Sequence, residues 1–309
     1  MPGIGIIHNP FARGNLRRPA IIEDLKKILG NSGEVIQTRS IEELPDALKD
    51  FVKKGFDILG VNGGDGSMHL VLSAFINAMP DQPLPKIVAL RGGTMNTMPN
   101  SVGLKGSTIN IAQKLVKKYR SGAQFEYLKQ HLVRLNDKYG FMTGAGVPPN
   151  FLAAYYSGTS TGPIQAVKVI VRAILSFFVQ GPYIKFIFEP AKCIVKVNNE
   201  ELPAREFVAF LGCSIKEIGL GFTFCPHVYD QPGKFQFIAT NAGPFFIIRN
   251  LHNFWLGRDV ASPEVFNYIT DKVLITPLAN MRYMIDGEIY ETEEPIEMAT
   301  GPTIDLIKI

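Results

Sequence analysis

The sequence has little of what marks several large protein classes. Cysteine is scarce: Cys193, Cys213 and Cys225 are odd in number, far apart, and form no C-x-x-C pair. That excludes a disulfide framework and a cysteine zinc site, and it fits reduced thiols in a cytosolic protein. Long hydrophobic runs are missing too. The most apolar stretch, residues 164–179, is interrupted by Lys168 and Arg172, and it falls short of the roughly 20 apolar residues that a bilayer core demands. No basic segment precedes the apolar residues 4–8, so the start does not read as a signal peptide. No charge of one sign dominates. The net charge of +4 permits weak attraction to anionic phosphates or lipid headgroups but does not indicate a nucleic-acid partner. The five histidines, His8, His69, His131, His227 and His252, show no metal-ligand spacing. The chain also lacks G-x-x-x-x-G-K-[ST], a G-x-G-x-x-G after its first strand, and G-x-S-x-G. These absences argue against a Walker-type nucleotide site, a dinucleotide fold and a serine hydrolase.

What is present is an ordinary globular composition, 46% hydrophobic and 19% charged over 309 residues. That is ample for two domains. The first third alternates apolar runs at 4–8, 35–37, 58–61 and 87–90 with helical spacing between them. A βαβαβα order of this kind predicts a parallel sheet covered by helices on both faces. Ser40 and Glu43 have the spacing of a capping box for the second helix. Beyond residue 125 the pattern changes to short strands separated by turn residues: 132–135, 139–143, 185–188, 194–197, 207–211, 235–239, 273–276 and 282–285. These predict an antiparallel sandwich or barrel, interrupted by helices at 163–180 and about 245–255. The expected fold is therefore an α/β domain with a parallel sheet over 1–125 and a mainly antiparallel β-sandwich domain over 126–299. A final strand within 300–309 is able to return to the first domain.

The chemistry concentrates at the ends of the predicted parallel strands, where such sheets bind ligands. Val61-Asn62-Gly63-Gly64-Asp65-Gly66-Ser67 runs from a strand into a helix. Three glycines in four residues let backbone amides approach a bulky anion, and the positive end of the helix favours phosphate. Ser67 is the expected N-cap. Asp65 would repel phosphates unless it holds Mg²⁺, directly or through water. The plain alternative is a strand-to-helix turn with Gly for geometry and Asp for solubility. Gly93-Thr94-Met95-Asn96 forms a second glycine loop after the 87–90 strand. Asn9 and Thr38, with short polar side chains at strand ends, either reach a nucleotide or cap turns. Asp286-Gly287 between two strands is a strong hairpin signal.

Taken together, these motifs resemble the diacylglycerol kinase catalytic-domain family, which includes sphingosine and ceramide kinases and bacterial soluble lipid kinases. Gly63 to Ser67 matches its G-G-D-G-[TS] signature. His8-Asn9-Pro10 resembles its N-P turn, Thr38 falls where it commonly has a threonine, Gly93 to Asn96 resembles its G-T-x-N loop, and Asp286-Gly287-Glu288 its D-G-E. The resemblance implies an ATP- and Mg-dependent kinase of a lipid hydroxyl, with a diacylglycerol-like acceptor favoured. It assigns Asn9, Pro10, Thr38, Gly63, Gly64, Asp65, Gly66, Ser67, Gly93, Thr94 and Asn96 to the nucleotide. Asp286 becomes the acceptor of the hydroxyl proton with Glu288 assisting, and Asp65 and Asp230 become metal ligands. Two departures stand out: Thr97-Met98-Pro99 follows where many bacterial members have Asp-Phe-Ala, and Asp230-Gln231-Pro232-Gly233 replaces a D-D-G loop. A kinase of a soluble substrate, as in NAD kinases, and a non-catalytic nucleotide-binding regulator are the alternatives.

A lipid kinase of this kind implies a cytoplasmic protein in transient contact with a membrane surface, and a homodimer is a further option. Lys168 and Arg172 lie four residues apart beside Val, Ile and Phe. Residues 162–181 thus read either as an interfacial helix or as a core helix with two snorkelling cations, and the core helix is the slightly better fit. Residues 245–258, rich in Phe, Ile and Leu with Trp255, suit a membrane interface or a dimer contact equally.

Overall fold

In the computed structural model the described residues are 3–101, 103–158, 162–219 and 221–309. The chain divides into two compact units, Met1–His131 with Pro302–Ile309, and Leu132–Gly301.

In the first unit the apolar runs become strands buried on both faces, as parallel sheets require. Gly3–His8 pairs in parallel with Gly33–Gln37 on one side and Phe56–Gly63 on the other. Phe56–Gly63 then pairs with Lys86–Arg91, and Leu306 adds a parallel pairing with Ile87. Ile4, Ile6, Leu59, Val61 and Val88 are all buried. The helices Ile21–Leu29, Leu44–Lys53, Asp65–Ala78 and Thr108–Arg120 each bury an apolar stripe. The capping box does not form. The helix opens at Leu44 without a side-chain cap, and the Glu43 carboxylate instead accepts the Arg39 N–H at 2.7 Å. Pro45 in the first turn has no N–H to satisfy, which lowers the need for a cap there.

The second unit is a sandwich. One antiparallel sheet runs in the order 265–270, 235–240, 209–213, 142–146, 281–285, 288–292. The other layer joins Glu206–Phe207, Ala191–Val197, Lys272–Pro277 and the first part of Ile296–Lys308. Val195, Val197, Ile275 and Met298 of this layer meet Phe210, Phe237 and Ile285 of the first in a single core.

Three expectations are corrected here. The expected strand 207–211 is two strands, Glu206–Phe207 and Ala209–Cys213, which belong to different layers; the chain changes sheet at Val208. Residues 185–188 are not a strand, because Pro182 opens a short helix, Pro182–Ile187, that buries Ile184 and Ile187. The expected helix at 245–255 is two short ones, Pro244–Arg249 and Leu251–Trp255, broken at Asn250. The patterning also missed the helix Val147–Tyr156, which carries Pro148 and Pro149 in its first turn, and the strand Val265–Thr270.

Candidate active site

The glycine loop of the first unit is shorter and tighter than its sequence implies. The strand runs to Gly63 and the helix starts at Asp65, so Gly64, in extended backbone, takes the cap position. Ser67, the expected cap, lies inside the first turn. Its hydroxyl accepts a hydrogen bond from Asn9 Nδ2 at 2.9 Å. Gly63 is required by this folding back: a Cβ there would sit 2.3 Å from the Ser67 side chain.

Asp65 faces the second loop. Its carboxylate accepts the backbone N–H of Thr97 at 3.1 Å and of Met98 at 3.0 Å. It therefore caps the short helix Thr97–Ser101. Burial pushes its carboxyl up, while the Met98 and Thr97 amides pull it down. This is where the departure at Thr97-Met98-Pro99 acquires a structure: the segment supplies amides, not a second carboxylate.

The second loop is closed by its own asparagine. Asn96 adopts φ +52°, a left-handed conformation that Asn tolerates. Its side chain accepts the Gly93 N–H at 3.1 Å and donates to the Gly93 carbonyl at 3.3 Å. Gly93 then lies against the first loop, where an added Cβ would stand 2.7 Å from Gly64 Cα. Thr94 is half-buried.

The N-P turn completes this cluster. Asn9 Oδ1 accepts the Phe11 N–H at 2.9 Å, and partly exposed Pro10 follows it. Asn15 is a residue that the patterning missed. Buried within a basic segment, it donates to the carbonyls of Asn9 at 2.7 Å and Asn62 at 3.1 Å; a lone polar residue among arginines gives no sequence signal of this. Asn62 Nδ2 and His8 Nδ1 lie 2.8 Å apart, and burial lowers the His8 pKa. That favours a neutral ring accepting at Nδ1. Thr38 is buried, and its N–H bonds the His8 carbonyl at 3.1 Å. The nucleotide candidates of the first unit thus gather at the carboxyl ends of neighbouring strands, knitted by polar contacts between loops.

The second unit holds the other three candidates. Asp286 and Gly287 form the hairpin turn, at φ +46° and +98°. The Asp286 carboxylate is not displayed on that turn. It is 5% exposed and folds back to accept the N–H of Phe141 at 2.9 Å and of Met142 at 2.8 Å. Tyr156 O–H holds the turn from outside by donating to the Gly287 carbonyl at 2.8 Å. Glu288 is half-buried, and burial pushes its carboxyl up.

A raised carboxyl favours the folded state most while protonated, and that contribution is lost as pH rises through the raised value. Glu288→Gln should therefore flatten this loss. Urea midpoints of the two proteins compared between about pH 4 and pH 8 will diverge in favour of the variant at the upper end; parallel curves would show that Glu288 ionises as an ordinary surface group.

Asp230 is paired rather than open. His227 bonds Asp230 through Nδ1 at 2.8 Å and Asp259 through Nε2 at 3.0 Å. Bonds to Asp230 and then Asp259 raise the His227 pKa, so the tie holds below the usual imidazole range and loosens as pH rises through the raised value. Asp259→Asn is expected to move the His227 titration, followed by NMR, back towards lower pH; an unmoved titration would show that the pair does not persist in solution. Among the described residues no group of three or more His, Cys, Asp or Glu side chains is placed to hold a metal ion, and no helix is long and apolar enough to cross a membrane.

Residues 4–125 match the family model of the diacylglycerol kinase catalytic domain. Among curated proteins no match is found. Among solved structures, a diacylglycerol kinase from Bacillus anthracis is similar over 99% of this chain and 97% of its own, at 14% identity and a TM-score of 0.65. Two further Bacillus anthracis structures carry that designation provisionally. One is 15% identical over 96% of this chain and 93% of its own, with a TM-score of 0.67, and the other 14% identical over 96% and 94%, with a TM-score of 0.63. At these identities the likeness is one of fold, and it extends through both units.

Proposed function

We propose, from a diacylglycerol kinase catalytic domain in residues 4–125, that the protein transfers the γ-phosphoryl group of MgATP to a lipid hydroxyl, with a diacylglycerol-like acceptor. The observation that carries this reading is the glycine loop. It places Gly63 and Gly64 at the end of a buried strand and at the start of a fourteen-residue helix. Backbone amides and the positive helix end there suit phosphate.

Asp65 fits a magnesium ion that arrives with the nucleotide. The Thr97 and Met98 amides, the Thr97 hydroxyl and the Asp65 N–H all reach this carboxylate, so the ion would displace one of these bonds or be met through water. Magnesium is commonly held by one or two carboxylates together with substrate phosphates rather than by a cage of protein groups. Such an ion would offset negative charge that builds up at the transferred group. The residues of this chain would do the rest. Asn9, Asn15 and Asn62 lock the loops before the nucleotide enters, so that little ordering is needed on binding. The resemblance puts Asp286 in the role of acceptor for the proton of the attacking hydroxyl, which requires its carboxylate to turn out from the Phe141 and Met142 amides that hold it.

The test is transfer of labelled phosphate from ATP to a panel of lipids in mixed micelles, with Asp286→Asn in parallel. Transfer to one lipid class that collapses in the variant supports the reading and names the acceptor. ATP binding with no transfer to any lipid, or transfer to NAD or a sugar phosphate instead, overturns it.

A further inference from the structure

The helix Pro163–Phe178 is turned the opposite way from a core helix. Its buried positions are Gln165, Ala166, Val169 and Ala173, mostly small. Its larger apolar residues face outward: Ile164 is 68% exposed, Leu175 63% and Phe178 74%, with Val167 and Val171 between them. The core-helix expectation is therefore overturned. A soluble surface helix carries its polar residues outside, and this one carries its apolar ones there.

Two further observations indicate what covers this face. The first is charge. Lys168 and Arg172 belong to the same outward stripe, and the Arg172 guanidinium lies 4.2 Å from the centre of the Tyr183 ring, which holds one cation at the edge of the apolar strip. No Asp or Glu occurs between Asp137 and Glu189, nor between Asp230 and Asp259. A second copy of the same cationic face would be repelled; an anionic surface would be attracted. The second is continuity. Phe177, next to Phe178, stacks on Phe245 at 6.4 Å between ring centres, and Phe245 is 62% exposed. The apolar strip thus extends onto the acid-free segment that carries Arg249 and Trp255.

We infer that this face is a docking surface for a lipid bilayer bearing anionic headgroups, with the helix lying in the interface, its apolar stripe among the acyl chains and Lys168 and Arg172 at the phosphates. Helices of this composition bind membranes by buried apolar area together with attraction to anionic lipid. The inference extends the kinase reading by naming the surface on which the acceptor is met, but it is tested without ATP or acceptor, so the two stand or fall separately.

The experiment is flotation of the full chain with phosphatidylcholine vesicles made with and without phosphatidylglycerol. The native protein is expected to float with the anionic vesicles and weakly or not at all with the others. Lys168→Gln with Arg172→Gln should weaken anionic partition roughly 20- to 30-fold, at about fivefold per cation near the surface. Val171→Glu with Leu175→Glu should weaken it by at least about tenfold. Lys49→Gln with Lys53→Gln, a charge-matched change in the first unit, should leave it unaltered. The variants alter exposed side chains, and circular dichroism checks their folding. Equal binding to both vesicle types overturns the anionic assignment, and binding that survives both docking variants overturns the surface. A dimer in sedimentation velocity that Val171→Glu with Leu175→Glu dissociates, with no flotation, identifies a second copy as the occupant and overturns the inference.

Discussion

Asp286→Ala is expected to lose phosphoryl transfer by about 10²- to 10⁴-fold, the usual contribution of a group that accepts a proton in the transition state, and to lose stability as well. The two losses have different origins. The carboxylate is the acceptor for two backbone donors, the N–H groups of Phe141 and Met142, and truncation leaves both without it. Each buried unsatisfied donor costs roughly 1–3 kcal/mol. Alanine also lacks the tolerance of Asp and Asn for the left-handed backbone at φ +46°. Asp286→Asn separates the effects. It keeps the backbone preference and one accepting oxygen, so it should unfold at a urea concentration between those of the native and alanine proteins, yet transfer phosphate no better than alanine. An asparagine variant that retains transfer would remove Asp286 from the chemistry and leave it as a turn anchor.

The second large effect belongs to a pair of glycines. Gly93→Ala puts a methyl group 2.7 Å from Gly64 Cα, which is backbone and has no side chain to swing away. Overpacking of this kind typically costs 1–3 kcal/mol, and here it pries the two loops apart. Gly64→Ala is the matched control, because its Cβ would meet nothing closer than Gly93 Cα at 3.6 Å, an ordinary contact. The fold should accept it. If phosphates lie on this loop, however, the new methyl occupies the space they approach through. Thermal unfolding should thus fall in Gly93→Ala and hold in Gly64→Ala, while ATP affinity falls in both, by roughly tenfold or more. A Gly64→Ala protein that binds ATP normally would place the phosphates elsewhere.

The parallel sheet was legible because strands buried on both faces read as unbroken apolar runs, and Gly63 to Ser67 was legible as the passage from a strand into a helix because glycines cluster where the chain turns tightly. What patterning missed depended on distant partners. Nothing local to Asp65 shows that its carboxylate caps a helix thirty residues on, or that Asn15 reaches back to Asn9 and Asn62. The Asp286-Gly287 turn was plain in the sequence; the direction of its carboxylate, into the sheet instead of outward, depends on Gly140, where a Cβ would lie 2.8 Å from Asp286 Oδ2. The helix at 163–178 was visible, but its outward face was not, because spacing shows that a stripe exists and not which side the rest of the chain covers.

The strand Ile296–Lys308 gives the protein an order of assembly. Its first residues belong to the sandwich and Leu306 to the sheet that carries the glycine loops. On the ribosome, the first unit therefore waits, with the Lys86–Arg91 edge lacking that partner, until the whole of Leu132–Gly301 has been made. An open strand edge invites pairing with other chains, and closing it across so long a separation is slow. A nascent chain stalled before residue 302 is the form most exposed to aggregation and to chaperones, and the unit that carries the glycine loops becomes whole only after the sandwich that follows it in sequence.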